Sequence, residues 1–271
     1  MVNKVVIITG GTSGIGKALA KKFALEGSKV VVTGRNLDAL NNMVAELKTK
    51  NLEVLGVQAD VSIESDNARM VEIVMKRYGR IDVLINNAGI SMRALFEDLD
   101  LEVIRKVMDI NFYGAVYATK YCLPEILKTE GTVVGISSVA GTRGVPARTG
   151  YSASKFALNG FLEVLRTEML YKNVNVLTVC PGFVSSNIRN NSLTKDGSKQ
   201  GESPRDEKTM MSSEECAKRV YEAVVKRKKL IYPAGFLERI TVTLNKFFPI
   251  FMDKMVYNVM AKEANSPFEK K

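Results

Sequence analysis

Six short apolar runs recur along the chain: KVVIIT (4–9), KVVVT (29–33), EVLGVQ (53–58), IDVLIN (81–86), GTVVGISS (131–138) and NVNVLTV (173–179). They are rich in Val and Ile and continuous rather than alternating, as in strands buried on both faces. Between them the apolar positions change to helical spacing. Ile15, Ala18, Leu19 and Phe23 share one face of 14–27, and Leu37, Leu40, Val44 and Leu47 share one face of 37–51. The stretch 62–79 opens on Ser62, read as an N-cap.

Strand–helix alternation implies right-handed crossovers. The pattern therefore predicts an α/β fold: a Rossmann-type doubly wound parallel sheet of about seven strands with helices on both faces. One domain is expected over 1–232, ending on the strand-like LIYP. Its longest polar stretch, 187–215, is too long for a plain connection, so 183–212 is read as a lid. Residues 233–271 are expected to form an amphipathic helical extension broken at Pro249. There Phe236, Leu237, Ile240, Leu244, Phe247, Phe248, Phe251, Met255 and Val259 recur at helical spacing among lysines. Such a segment either lies on a membrane surface or packs on the body or a partner subunit.

The 271 residues are 46% apolar and 25% charged, as in an ordinary globular protein. There is no histidine, and Cys122, Cys180 and Cys216 form no CxxC pair. That excludes the usual Cys/His zinc sites and both Ser-His-Asp and Cys-His catalysis, and no metal is expected. Acid–base chemistry falls to Asp, Glu, Lys, Tyr or Cys. The net charge of +10 favours anionic partners such as phosphorylated cofactors or acidic lipid. No zinc-finger, basic-zipper or RNA-binding motif is present, so nucleic acid is not expected. The apolar run Val5 to Ile8 is too short for a signal peptide or membrane span, which predicts a cytoplasmic location.

The turn ITGGTSGIG follows the first strand and opens the first helix. Gly10 allows the tight turn, Gly14 admits a pyrophosphate, and Gly16 lets helix and strand pack closely. The helix N-terminus offers free N–H groups to the anion. Many turns are glycine-rich; the position between strand and helix gives this one its meaning. Thr12, Ser13 and Ile15 lie within it. The second strand ends VVVTGRN, with Arg35 where an acid would bind a ribose 2′-OH. A guanidinium there suits a 2′-phosphate, so NADP(H) is expected, although Arg35 also fits a solvated loop. Asn36 is a candidate hydrogen-bonding partner. Asp60, followed by Val61, stands near the adenine or caps a helix. Asn87, Ala88 and Gly89 end the fourth strand in a turn.

Tyr151 and Lys155 are i and i+4 on a helix and share a face. A neighbouring ammonium favours the phenolate and lowers the phenol's pKa, which makes it an acid without histidine. Alone, YxxxK also fits a surface helix.

Together, Thr9-Gly10-x-x-x-Gly14-x-Gly16, Asn86-Asn87-Ala88-Gly89, Asn111, Ser138, Tyr151-x-x-x-Lys155 and Pro181-Gly182 resemble the short-chain dehydrogenase/reductase family in order and spacing. The resemblance implies Tyr151 as catalytic acid/base, Lys155 as its activator and ribose ligand, and Ser138 as the group orienting the carbonyl. It implies Asn111 as holder of a relay water, and PGFV, with Val184, as the segment beside the nicotinamide. Ser186 stands where the family often has threonine. Within the family the chain resembles the member 7 type and the 3-ketodihydrosphingosine reductases, on ISSVAGTRGVPARTGYSASK and the lid. That implies an NADP(H)-dependent oxidoreductase acting on the carbonyl or alcohol of a hydrophobic, lipid-like substrate, and a homodimer or homotetramer formed through two long helices at about 101–128 and 151–172. A non-catalytic dinucleotide-binding protein and a membrane-associated lipid-binding module are the alternatives. The pocket walls are expected at 90–96, 139–148 and the lid 183–212, with Ile90, Met92, Leu95, Phe96, Val139 and Val145 as apolar members of the first two.

Overall fold

Each of the six apolar runs is a strand in the computed structural model, which describes residues 1–268. They are β1 (Val5–Ile8), β2 (Lys29–Gly34), β3 (Val54–Gln58), β4 (Val83–Asn86), β5 (Thr132–Ile136) and β6 (Asn175–Val179), with LIYP supplying β7 (Leu230–Ile231). All seven pair in parallel in the order β3-β2-β1-β4-β5-β6-β7. Strand order reverses between β1 and β4, where Ile8 stands level with both Val32 and Ile85. Ligands of such sheets bind in the crevice outside the strand ends at that point.

The continuous runs are explained by cover on both faces. Val6 and Ile8 of β1 point into one core, with Leu19 and Phe23 of α1 (Gly14–Leu25), Leu40 and Leu47 of α2 (Leu37–Lys48) and Val220 of α7 (Ser213–Val225). Val5 and Ile7 point into the other, with Met70 and Val74 of α3 (Glu64–Tyr78), Ala118 and Ile126 of α5 (Gly114–Lys128) and Leu158 and Leu162 of α6 (Thr149–Glu168). A third, smaller cluster joins Val103 and Val107 of α4 (Leu101–Met108) to Met92, Ala94, Leu99 and Leu193.

Two local expectations are corrected. Ser62 does not cap α3: its hydroxyl donates to Asp60 Oδ1 at 2.7 Å, and the helix starts at Glu64. The long helix at 101–128 is α4 and α5 joined by a π turn, Asp109–Tyr113. The C-terminal segment forms α8 (Phe236–Phe247) and α9 (Pro249–Ala261), with Pro249 at the start of α9, where its missing N–H has no cost. Its buried residues are Val242, Met252 and Met260, while Phe236, Leu237, Phe247, Phe248 and Phe251 are exposed. Positions 269–271 of the expected extension lie outside the described residues. Among the described residues no helix is long and apolar enough to cross a membrane.

Candidate active site

A cavity of about 800 Å³ runs along the C-terminal ends of the strands, from the glycine turn to the lid. All the predicted site residues line it except Gly16 and Asn111, which sit behind its wall.

At one end the backbone is fixed by polar bonds between β1 and β4. Thr9 Oγ1 accepts from the amides of Asn87 and Ala88 at 3.0 and 3.1 Å, and Asn87 Nδ2 donates to the carbonyls of Thr9 and Gly10 at 2.9 and 3.0 Å. Gly10 is held at φ +62°, and a Cβ there would stand 2.8 Å from Ala88 Cα. At Gly16 a Cβ would meet the Gly10 carbonyl at 2.3 Å, so this glycine serves helix–strand contact rather than the cavity. Ser13 precedes α1 without capping it, and no acid occupies the first turn. The N-terminal amides of α1 therefore face the cavity without side-chain competition, a cradle that fits a pyrophosphate.

Further along, Arg35 lies 3.6 Å from Asp60 and keeps over half of its side chain exposed. Burial pushes the Asp60 carboxyl up, but bonds from Ser62 and the Arg35 charge outweigh this and hold it below its ordinary range. Asp60 thus organises the turn into α3 as well as facing the cavity. Asn36 lines the cavity, yet its Oδ1 accepts from Ala39 N at 2.8 Å, so that oxygen serves as the cap of α2.

At the centre, Tyr151 rises from α6 and Ser138 from the end of β5. Ser138 Oγ accepts from Ala140 N at 3.1 Å and bonds the Tyr151 hydroxyl. Lys155 Nζ is 5.8 Å from the Tyr151 ring centroid and donates to Ile136 O at 2.9 Å. The expected lowering of the phenol's pKa is corrected. Burial raises it, more than Ser138 and the charges of Arg148 and Arg189 lower it. Burial also drives Lys155 down, to about 8. At neutral pH the site therefore holds a neutral phenol, a proton donor, beside an ammonium.

Asn111 sits in the π turn and is 1% exposed. Its Nδ2 donates to Ile90 O and Ser154 Oγ, both at 2.9 Å, and its Oδ1 accepts from Ile90 N at 2.8 Å. The amide ties the segment after β4 to α6, and a Cβ on Gly89 would stand 3.2 Å from its Oδ1.

At the far end, Pro181 O accepts from Val139 N at 2.9 Å, and Gly182 N donates to Pro233 O at 3.1 Å. A Cβ on Gly182 would strike the Glu238 carboxylate of α8 at 2.2 Å. The lid is sewn down: Leu193 N donates to Ser91 O at 2.9 Å, and Arg93 N to Leu193 O at 2.8 Å. Of the expected apolar walls, Ile90, Val139 and Val145 line the cavity. Met92 is fully buried in the third cluster, Phe96 is 62% exposed, and Leu95 is off the wall. Arg148, from the expected wall 139–148, and Arg189 and Leu193, from the lid, also line it; Met260 of α9 lines it without having been expected, because nothing in the local pattern of α9 places it at the cavity.

Residues 4–197 match the family model of short chain dehydrogenase. The chain is 36% identical over 269 residues to dehydrogenase/reductase SDR family member 7B of Mus musculus, covering 97% of this chain and 83% of the relative. It is 38% identical over 231 residues to 11-beta-hydroxysteroid dehydrogenase-like 4A of Arabidopsis thaliana, covering 84% and 75%. Among solved structures, a short chain dehydrogenase/reductase from Burkholderia phymatum in complex with NAD has the same fold, with a TM-score of 0.83 at 22% identity over 100% of this chain and 98% of that one. An alcohol dehydrogenase from Thermococcus sibiricus complexed with 5-hydroxy-NADP matches with a TM-score of 0.74 at 25% identity, over 84% and 95%. The family-model match spans the glycine turn, the Asn87 turn, and the Ser138, Tyr151 and Lys155 site, and the chain belongs to the short-chain dehydrogenase/reductase family, similar within it to the member 7B proteins.

Proposed function

We propose that this oxidoreductase uses NADP(H) to reduce the carbonyl of a hydrophobic, lipid-like substrate, or to oxidise the matching alcohol. The observation that carries the reading is a half-buried tyrosine, bonded to Ser138 and backed by a lysine, in the wall of a cavity that begins at an uncapped helix N-terminus. When bound, the nicotinamide supplies the hydride. Ser138 holds the substrate oxygen by a hydrogen bond. Tyr151, neutral at pH 7, gives that oxygen its proton, and the Lys155 ammonium stabilises the phenolate left behind. Asn111 would hold the water through which the phenolate regains its proton.

Arg35 would hold a 2′-phosphate, with Asp60 ceding the guanidinium. The Thermococcus sibiricus relative with its 5-hydroxy-NADP supports that preference; the Burkholderia phymatum one, with NAD, keeps the question experimental. Ile90, Val139, Val145, Leu193 and Met260 favour an apolar substrate body. Exposed Tyr113, Phe156 and Val164 on the π turn and α6 support a homodimer or homotetramer. Exposed Phe247, Phe248, Ile250 and Phe251, at the corner between α8 and α9, support peripheral membrane contact.

The test is oxidation of NADPH and of NADH against 3-keto lipids, steroids and small ketones. The expected result is turnover with NADPH, fastest on a bulky ketone. No oxidation with either cofactor across the panel would remove the reading, and faster turnover with NADH would remove its NADP(H) half.

A further inference from the structure

The segment after α9 comes back to the cavity mouth and ends on one carboxylate. Glu263 keeps only 3% of its side chain exposed and meets three guanidinium groups from three separate segments. Arg93, from the turn after β4, stands at 3.5 Å; Arg148, three residues before Tyr151, at 3.3 Å; and Arg205, from the lid, at 2.6 Å. Further ties run alongside. Arg93 Nη2 donates to Ala264 O at 2.8 Å, and Asn265 Nδ2 donates to Glu202 Oε1 of the lid at 2.5 Å. Arg205 lies over the Phe183 ring at 3.9 Å and reaches Met260 Sδ at 3.8 Å. Met260 is itself 5% exposed and part of the cavity wall.

A buried ion pair adds little stability over apolar packing, but it strongly fixes which segments lie together. Here the Glu263 carboxylate stands among three guanidinium groups in a largely dry place, with Glu202 as a second acid acting on Arg93, and like charges there repel more strongly than in water. Without it the three arginines push their segments apart.

We propose that Glu263 is a positioning residue: it fastens the C-terminal strap, the lid and the start of α6 into one wall of the substrate site, so that residues 249–265 set which ketones the enzyme holds. This deepens the carbonyl-reductase reading and rests on it. The role is separate from the chemistry, because Glu263 and Arg205 lie outside the cavity wall; their ties reach it through Arg148, which pairs with Glu263, and Met260, which Arg205 contacts.

The test compares wild type, Glu263→Gln and Arg205→Met, each loaded with NADPH. Amide hydrogen exchange is read over the lid, and KM is read separately from kcat for a bulky 3-keto lipid and a small ketone. Lid exchange is expected to rise about tenfold in both variants, since a tethered segment becomes locally open. KM for the bulky ketone should rise about tenfold, with kcat, the small-ketone KM and NADPH affinity within about twofold. Unchanged lid exchange in a folded variant overturns the fastening. A released lid with equal KM changes for both ketones overturns the role in substrate choice. If Glu263→Gln fails to fold, Arg205→Met, which removes one of the three ties, decides by the same two readings. Wild type inactive on every ketone sinks the carbonyl-reductase reading, while lid exchange still judges the strap.

Discussion

The two ends of the cavity are held by different means. The dinucleotide end is built from backbone: one threonine hydroxyl and one asparagine amide bind β1 and β4 together, and glycine is required where a Cβ would strike a neighbouring main chain. The substrate end is built from side chains that meet across long stretches of sequence, as in Arg143 to Asp253 at 2.5 Å and Arg148 to Glu263 at 3.3 Å. The first kind of construction needs particular residues at particular short spacings. The second needs only that opposite charges arrive together, and leaves no local mark. One end can therefore stay constant in a family while the other is rebuilt for each substrate.

The sharpest break of this comparison is at its midpoint. Tyr151→Phe leaves both ends intact and removes one proton. Its kcat is expected to fall about 1000-fold, with NADPH affinity within about twofold of wild type. A variant still turning over within a few-fold would take the proton transfer away from Tyr151.

Arg35→Asp alters the dinucleotide end alone. The ratio of kcat/KM for NADPH over NADH should drop about 100-fold, because an attractive charge becomes a repulsive one beside the 2′-phosphate. An unchanged ratio would mean that Arg35 serves only Asp60. The bulky-to-small ketone preference should stay constant, which measures how independent the two ends are.

The smallest effect is read from pH. Lys155 has its folded pKa lowered to about 8, so its ammonium is complete below that and lost as pH rises through it. The phenol, raised by burial, keeps its proton over the same window. Reduction measured as kcat/KM should therefore fall with rising pH above about 8, by about tenfold per unit. A profile flat from 7 to 10 would remove the lysine from the chemistry.

The sequence made legible what is written in contiguous residues. Each of the six apolar runs became a strand, and the glycine turn and the Tyr151 helix lie where their patterns put them. What stayed hidden depends on neighbours distant in sequence. Tyr151 titrates upward because of how deeply the fold buries it, a quantity that i, i+4 spacing does not contain. Asn111 was identifiable as a site residue, but its ties to Ile90 and Ser154 were not. The apolar stripe read along α8 and α9 was mostly solvent-facing, since Val242, Met252 and Met260 fill the buried face instead. Arg148 and Glu263 stand 115 residues apart, and nothing in the sequence pairs them.

The π turn at Asp109–Tyr113 has one more consequence. A residue advances an α-helix by about 100°, so the extra residue of a π turn lets the helices on either side take separate rotational settings. α4 can aim Val103 and Val107 at Leu193 of the lid, while α5 aims Ala118, Cys122 and Ile126 at the sheet. Deleting a single residue there would restore a smooth helix and turn one of these faces into water.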